Sequence, residues 1–153
     1  MQNLDNGILK IDDFIFTKDT KLEDFKSLSE DVVTTKIYEK SKIYEFRFLK
    51  PIISEGIEGY LKVEYYFNGN IYRIGIGIKI PEGEETGFSM SSERTKQYFE
   101  YSKRFLKGLI KSEPTAESDY SLEYEFDWGG IYTFLFSDRD YGFRYNGIEI
   151  EFF

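Results

Sequence analysis

Residues 120–153, YSLEYEFDWGGIYTFLFSDRDYGFRYNGIEIEFF, decide the fold that the sequence predicts. Acidic residues alternate with aromatic and aliphatic ones through most of this stretch. Successive side chains of a β-strand point to opposite faces of the sheet, so the alternation predicts strands with one apolar face and one acidic face. We expect strands at about 121–128, 130–136 and 147–152, with turns at Gly129-Gly130 and in residues 137–147.

The alternation produces two short rows of acids. The first strand carries Glu123, Glu125 and Asp127 opposite the apolar set Leu122, Tyr124, Phe126 and Trp128, and the last strand carries Glu149 and Glu151 opposite Ile148, Ile150 and Phe152. If the three strands form a meander, both rows lie on one face, roughly 10 Å apart, with the middle strand between them. That strand would add either Ile131, Thr133 and Leu135 or Tyr132, Phe134 and Phe136 to the acidic face.

The rest of the chain indicates an α+β fold. Residues 8–16 are typical of a short hairpin or a bent strand, Thr20 and Glu23 have the spacing of a helix capping box, and Asn68-Gly69 suits the two-residue turn of a central hairpin. A long amphipathic helix is expected from about Ser92 to Ile110. We therefore predict one domain, residues 1–153, in which a mainly antiparallel sheet of five to seven strands carries one long C-terminal-half helix on one face and is accompanied by a short N-terminal helix.

Composition and charge restrict the possible functions. The chain has no Cys and no His, which excludes thiolate chemistry, disulfides and every catalytic arrangement that needs imidazole. Residues 1–111 carry 18 acidic and 18 basic side chains, whereas residues 112–153 carry 10 acidic side chains and two basic ones, so the net charge of −8 lies in the last part of the chain. Such charge disfavours nucleic acid and favours a basic partner. Without a long apolar run or a secretory signal, we expect no membrane contact and a cytoplasmic location, and nothing predicts a cofactor or metal ion.

Several motifs suggest chemistry that the surrounding residues do not support. Gly75 and Gly77 begin a dinucleotide-binding pattern that lacks its third glycine, and close packing against another chain segment explains them better. The DRD segment at 138–140 has too few oxygen ligands for a calcium loop. Trp128 could stack on a sugar ring, but its alternation puts it on the core face.

The acidic face has three candidate functions beside an ordinary solvated sheet surface. The first is binding of a basic protein, for which the candidate contact residues are Glu123, Glu125, Asp127, Tyr132, Asp138, Asp140, Glu149 and Glu151. The second is a small-ligand or carbohydrate-binding module that uses the aromatic strip. The third is a carboxylate-dependent hydrolase that uses two of the glutamates. The first, non-catalytic, function is the one we favour, with the oligomeric state left open.

The order of motifs also resembles a known group of proteins. ILKIDDFIF (8–16) is followed by TKLEDF (20–25), by the hairpin YYFNGNIYRIGIGIKI (65–80), by the long helix, and by FDWGGIYTFLFSDRDYGFRYNGIEIEF (126–152). This order resembles that of small immunity proteins from bacterial polymorphic and contact-dependent toxin systems. The resemblance implies a non-catalytic protein that neutralises a cognate toxin domain by binding it, and it assigns no individual contact residue.

Overall fold

The computed structural model describes residues 2–79, 92–138 and 142–153, with backbone alone at 137–138 and 142–146. Its elements are a 3-10 turn (Leu4–Asn6), β1 (Leu9–Ile11), β2 (Phe14–Phe16), α1 (Leu22–Lys26), β3 (Val33–Tyr38), β4 (Ile43–Phe48), β5 (Ile52–Ser54), β6 (Ile57–Tyr66), β7 (Ile71–Lys79), α2 (Ser92–Leu109), β8 (Ala116–Ser118), β9 (Ser121–Phe126), β10 (Gly129–Asp138) and β11 (Gly142–Phe152).

An antiparallel sheet of nine strands forms the body of the protein. Eight strands lie in the order β3-β4-β6-β7-β11-β10-β9-β8, β5 pairs with β6 beside this path, and β1 pairs with β2 in a separate hairpin. The α+β class, the long helix and the N-terminal hairpin are confirmed, but the prediction of five to seven strands was too small. The short strands β5 and β8 have three residues each, too few to produce a recognisable alternation. Strand β3 is exposed along most of its length and lacks an apolar face.

The turns of the C-terminal meander differ from the prediction. The two residues that join β9 to β10 are Asp127 and Trp128, while Gly129 and Gly130 lie inside β10. A side chain at Gly129 would collide with the main-chain oxygen of Glu151 in the neighbouring strand, so this glycine serves a close approach of two backbones. Most of residues 137–147, predicted as a turn, is strand, because β10 continues to Asp138 and β11 begins at Gly142.

Two other local predictions were also imprecise. The capping box at α1 does not use Thr20 and Glu23; Asp24 accepts a hydrogen bond from the Lys21 N–H at 2.8 Å instead. The Thr20 hydroxyl accepts one from the Thr17 N–H at 2.9 Å. The central hairpin has a four-residue connection, residues 67–70, in which Gly69 alone takes a positive φ, of 94°.

The helix and the N-terminal segment cover the same face of the sheet, here called the inner face. Buried residues of α2 lie against β5, β10 and β11, and the Phe105 ring occupies the space left by Gly59. At the other end of the sheet, the Phe25 ring packs on Phe46 and Tyr65 with ring centroids 5.1 and 5.4 Å apart. The opposite, outer face of the sheet carries the charged rows described below.

Asp5 joins three separate parts of this inner layer. Its carboxylate accepts hydrogen bonds from the N–H groups of Lys111 and Ser112, each at 2.9 Å, just beyond the end of α2. Its main-chain oxygen accepts one from the Trp128 Nε1 at 3.0 Å, and the indole ring packs on Gly7. Trp128 therefore packs against the core as predicted, but it is partly buried and lies in the β9–β10 turn, not in the strand. Burial alone would raise the pKa of Asp5, but the hydrogen bonds from Ser112 and Lys111 outweigh it and hold the pKa below its ordinary value.

We expect Asp5→Ala to lower the free energy of unfolding by about 1–3 kcal/mol at pH 7, because the last turn of α2 loses charge-assisted hydrogen bonds. A lowered pKa in the folded state means that the carboxylate stabilises the fold above about pH 4, and this stabilisation is lost as the pH falls through the lowered value. Urea unfolding at pH 7 and below pH 3 measures both effects. Asp13→Ala, at an exposed position, is the control. An equal loss at both pH values would contradict this role of the carboxylate.

Candidate functional site

The strand register brings the two acidic rows onto one face, as the meander requires. Tyr132 of β10 pairs with Glu123 of β9 on one side and with Glu149 of β11 on the other. Two residues earlier, Gly130 pairs in the same way with Glu125 and Glu151. Given the strand spacing and rise, the four glutamates lie at the corners of a rectangle of roughly 10 by 7 Å. Together with Tyr132 at its centre, they form what we call the acidic surface.

The middle strand presents its aromatic residues to this face. Ile131, Thr133 and Leu135 are buried on the inner face. The rings of Tyr132, Phe134 and Phe136 follow one another along the outer face, with centroids 6.2 and 5.8 Å apart. Phe136, at the end of this strip, is 47% exposed. Of the two arrangements that the sequence left open, the aromatic one is therefore correct.

Tyr132 lies down over the strand and closes the centre of the acidic surface. A side chain at Gly130 would collide with the phenol end of Tyr132, so the ring occupies the space above that glycine. Burial of the phenol raises the pKa of Tyr132, and the negative charges of Glu125, Glu151 and Glu123 raise it further. A neutral phenol therefore lies among the carboxylates of the acidic surface.

No Lys or Arg among the described side chains forms an ion pair with the four glutamates of the acidic surface. The other half of the outer face is different. There Glu45 and Glu64, each less than 10% exposed, are cross-strand neighbours. Arg47 contacts Glu45 at 3.3 Å, and Lys62 contacts Glu64 at 3.3 Å and Glu45 at 3.9 Å. Charges on β4 and β6 are therefore neutralised within the chain, whereas the four glutamates of β9 and β11 have no basic partner among the side chains that the structure describes.

The other predicted contact residues are less tightly grouped. Asp127 is exposed, but it lies in the β9–β10 turn, so its predicted place in the strand row was wrong. The backbone of Asp138 pairs with Gly142 at the far end of the same hairpin, well along β10 from Tyr132. Asp140 lies outside the described residues. The acidic surface therefore consists of four of the seven acids that the sequence singled out.

A groove interrupts the outer face between the two charged halves. Its floor is formed by Gly75 and Gly77 of β7 and Gly147 of β11, and its volume is about 220 Å³. Lys62 and Glu149 pair with Gly75 from its two neighbouring strands, so the groove is one strand wide at that point. Tyr60, Arg47 and Arg73 complete its border.

The sequence interpretation of these glycines was wrong. A side chain at Gly77 would meet no atom of the described residues within 4 Å, and one at Gly75 would make only an ordinary contact, at 3.4 Å from the Ile148 carbonyl oxygen. Close packing is therefore not the reason for glycine here. The charged groups around the groove were also missed, although the alternation of Glu45 and Arg47 with the aromatic residues of β4 already indicated a polar outer face.

Other features of the site concern the alternative functions. Over residues 2–79, 92–138 and 142–153, no group of three acidic side chains is arranged to hold a metal ion. Of the four glutamates, the groove includes only Glu149, whereas a carboxylate-dependent hydrolase needs two acids in one pocket. Within the same part of the chain, no helix is both long and apolar enough to cross a membrane. Comparison of the chain with models of protein families, with curated proteins and with solved structures finds no match.

The field of the acidic surface can be measured at Tyr132. We expect Glu125→Gln to lower the pKa of the Tyr132 phenol, because one of the negative charges that disfavour the phenolate is removed. A ¹³C NMR titration of labelled tyrosine gives the value directly. Glu30→Gln, at an exposed position on another part of the surface, should leave it unchanged. If both variants titrate like the original protein, the carboxylates do not act on Tyr132.

Substitution of a glycine at an open position of the sheet and of one at a crowded position should change stability in opposite directions. Gly77→Val should raise the free energy of unfolding by up to about 1 kcal/mol, because an open strand position gains a residue with high β-propensity. Gly59→Ala should lower it by about 1–3 kcal/mol, because the new methyl group would meet the Phe105 ring and lie 2.8 Å from Ile76 Cγ2. Thermal and urea unfolding of the two variants test this. Destabilisation by Gly77→Val would show that in solution other atoms of the protein occupy the space above Gly77.

Proposed function

We propose that this protein is a non-catalytic, immunity-type inhibitor that binds a basic toxin domain through its acidic surface. The observation that carries the proposal is the set of four carboxylates around Tyr132, none of which has a basic partner among the described residues. Four like charges grouped on one face of a sheet repel one another and do not stabilise it, so their grouping calls for another explanation. A basic partner supplies one.

The acidic surface combines the two properties that protein recognition needs. Clustered exposed charges speed the encounter with an oppositely charged partner and select against acidic ones. The aromatic strip of Tyr132, Phe134 and Phe136 offers apolar area, which holds the partner once it has docked. Because the strip lies on paired strands, little ordering of the backbone is needed on binding.

The resemblance to immunity proteins supports a toxin as the partner. The resemblance implies neutralisation of a toxin domain by binding, and in this proposal the charged sheet face covers or distorts the toxin's active site. A toxin that cleaves nucleic acid would present a basic surface, since it must attract phosphate groups. In this proposal the inhibitor acts in the cytoplasm, where such a toxin meets its substrate.

A small-ligand or carbohydrate-binding module remains the second candidate, and one observation favours it. The rings of Tyr132 and Phe134 are inclined by only 14° to each other, so the strip offers near-parallel aromatic faces on which a sugar ring can stack. Thermal-shift screening with oligosaccharides separates the two candidates, because a true ligand raises the melting temperature by an amount that grows with the logarithm of its concentration above Kd.

The partner proposal predicts that a toxin domain is encoded next to this protein's gene, and binding to that domain tests it. The triple variant Glu125→Lys, Glu149→Lys, Glu151→Lys should weaken binding on the order of 100-fold, because three attractive contacts become repulsive. The affinity of the original protein should fall with added salt, and that of the variant should not. Isothermal calorimetry over a range of NaCl concentrations measures both.

A matched control separates the acidic surface from net charge. The variant Glu30→Lys, Asp31→Lys, Glu39→Lys changes three exposed acids elsewhere and raises the net charge by the same six units. It should keep nearly the original affinity and still protect cells that express the toxin domain. If the two triple variants bind equally well, the acidic surface is not the contact.

A further inference from the structure

The glycine groove is electrically balanced, in contrast to the acidic surface beside it. Its border carries the cations Arg47, Lys62 and Arg73. Arg47 forms an ion pair with Glu45, and Lys62 forms one with Glu64. A third carboxylate, that of Glu149, belongs to the strand on the opposite side of the groove. Of the described residues that line the groove, Glu149 alone is a carboxylate. Glu45 and Glu64 lie outside the lining but neutralise two of its cations, so the groove as a whole favours neither an anion nor a cation. It therefore suits a neutral group.

The chain contains one example of how such a glycine is covered. At Gly130 the phenol ring of Tyr132 lies over the strand between two glutamates on the neighbouring strands. A flat ring placed on a glycine protects the backbone and buries apolar area at little steric cost. Gly75 and Gly77 occupy equivalent outward positions, but no ring among the described residues lies over them.

We propose that the groove receives one tyrosine side chain of the partner protein, an inference that rests on the proposed function. The ring would lie on the main chain of Gly75 and Gly77, beside the Lys62 side chain that lines the groove and whose positive charge can attract the face of an aromatic ring. The phenol hydroxyl would donate a hydrogen bond to the Glu149 carboxylate on the other wall. The volume of about 220 Å³ is below the range of drug-sized ligand pockets and fits a single side chain.

Glu149 connects the groove to the acidic surface. The residue belongs both to the acidic surface and to the border of the groove. A partner that covers the four glutamates therefore reaches the groove without leaving the sheet. Buried aromatic anchors near the centre of an interface contribute much of its affinity, while surrounding charges set the rate of encounter.

The groove is tested without the partner by titrating ¹⁵N-labelled protein with N-acetyltyrosinamide. We expect the amide signals of Gly75, Gly77 and Gly147 to shift with a Kd on the order of millimolar, as suits so small a probe. N-acetylphenylalaninamide should bind roughly tenfold more weakly, because it cannot donate a hydrogen bond to Glu149. Gly77→Val should abolish the shifts, since its side chain occupies the floor of the groove.

Probes of other chemistry decide whether the assignment is wrong. Stronger binding of benzoate, of N-acetylargininamide or of the zwitterion glycine at the same three amides would make the groove a site for an anion, a cation or a free amino acid. Absence of shifts with every probe would overturn the inference as well.

Binding to the toxin domain separates this inference from the proposed function. Gly77→Val should weaken that complex about tenfold with little change in its salt dependence. If the lysine triple variant loses affinity and Gly77→Val does not, the acidic surface is the contact and the tyrosine anchor is wrong. If Gly77→Val loses affinity and the double variant Glu125→Lys, Glu151→Lys, which leaves Glu149 in place, does not, the acidic surface is not the contact.

Discussion

The cross-strand register of β9, β10 and β11 is the constraint on which the rest of the outer face depends. A slip of one residue would turn every glutamate of these strands toward the core and every buried Ile, Leu or Tyr toward water. The protein fixes the register with features that are not charged. Gly129 allows the close approach of the Glu151 main chain, and Trp128 holds the adjoining turn against the N-terminal segment. The apolar residues of these strands are then buried on the inner face, where α2 packs against β10 and β11. Packing on the inner face therefore fixes which positions of these strands face outward, but it does not require those positions to be acidic.

The outer face is divided between structure and recognition. On β4 and β6 the acids are buried and held by Arg47 and Lys62, which makes that half a satisfied network. Removing one member there would leave a buried charge without its partner, a costly change. On β9 and β11 the acids face water and have no basic partner among the described residues, so they add little to folding and are free to vary with a binding partner. The glycines of β7 and β11 separate these halves and leave the groove in which both kinds of charge meet.

Local patterns predicted much of this arrangement, and pairing between distant strands explains most of what they missed. The alternation in residues 121–136 and 147–152 was enough to give the acidic rows, because three consecutive strands with short connections usually form a meander. The alternation could not show that β11 pairs with β7, about 70 residues earlier in the chain, and this pairing places Glu149 beside Gly75. Gly75 and Gly77 were therefore assigned to close packing when they line open space. For Gly129 and Gly130 the error was the reverse: we predicted a turn, whereas both lie in a strand where other groups come close to the backbone.

The position of Trp128 has a practical consequence. It is the single tryptophan of the chain, it is half-buried, and it follows directly on Asp127 at the edge of the acidic face. Its indole N–H donates a hydrogen bond to the main-chain oxygen of Asp5, whose carboxylate accepts hydrogen bonds just beyond the end of α2. The tryptophan emission therefore reports whether the N-terminal segment is docked on the sheet. Intrinsic fluorescence can thus follow, without any label, whether an event on the outer face is transmitted through the hairpin to the layer behind it.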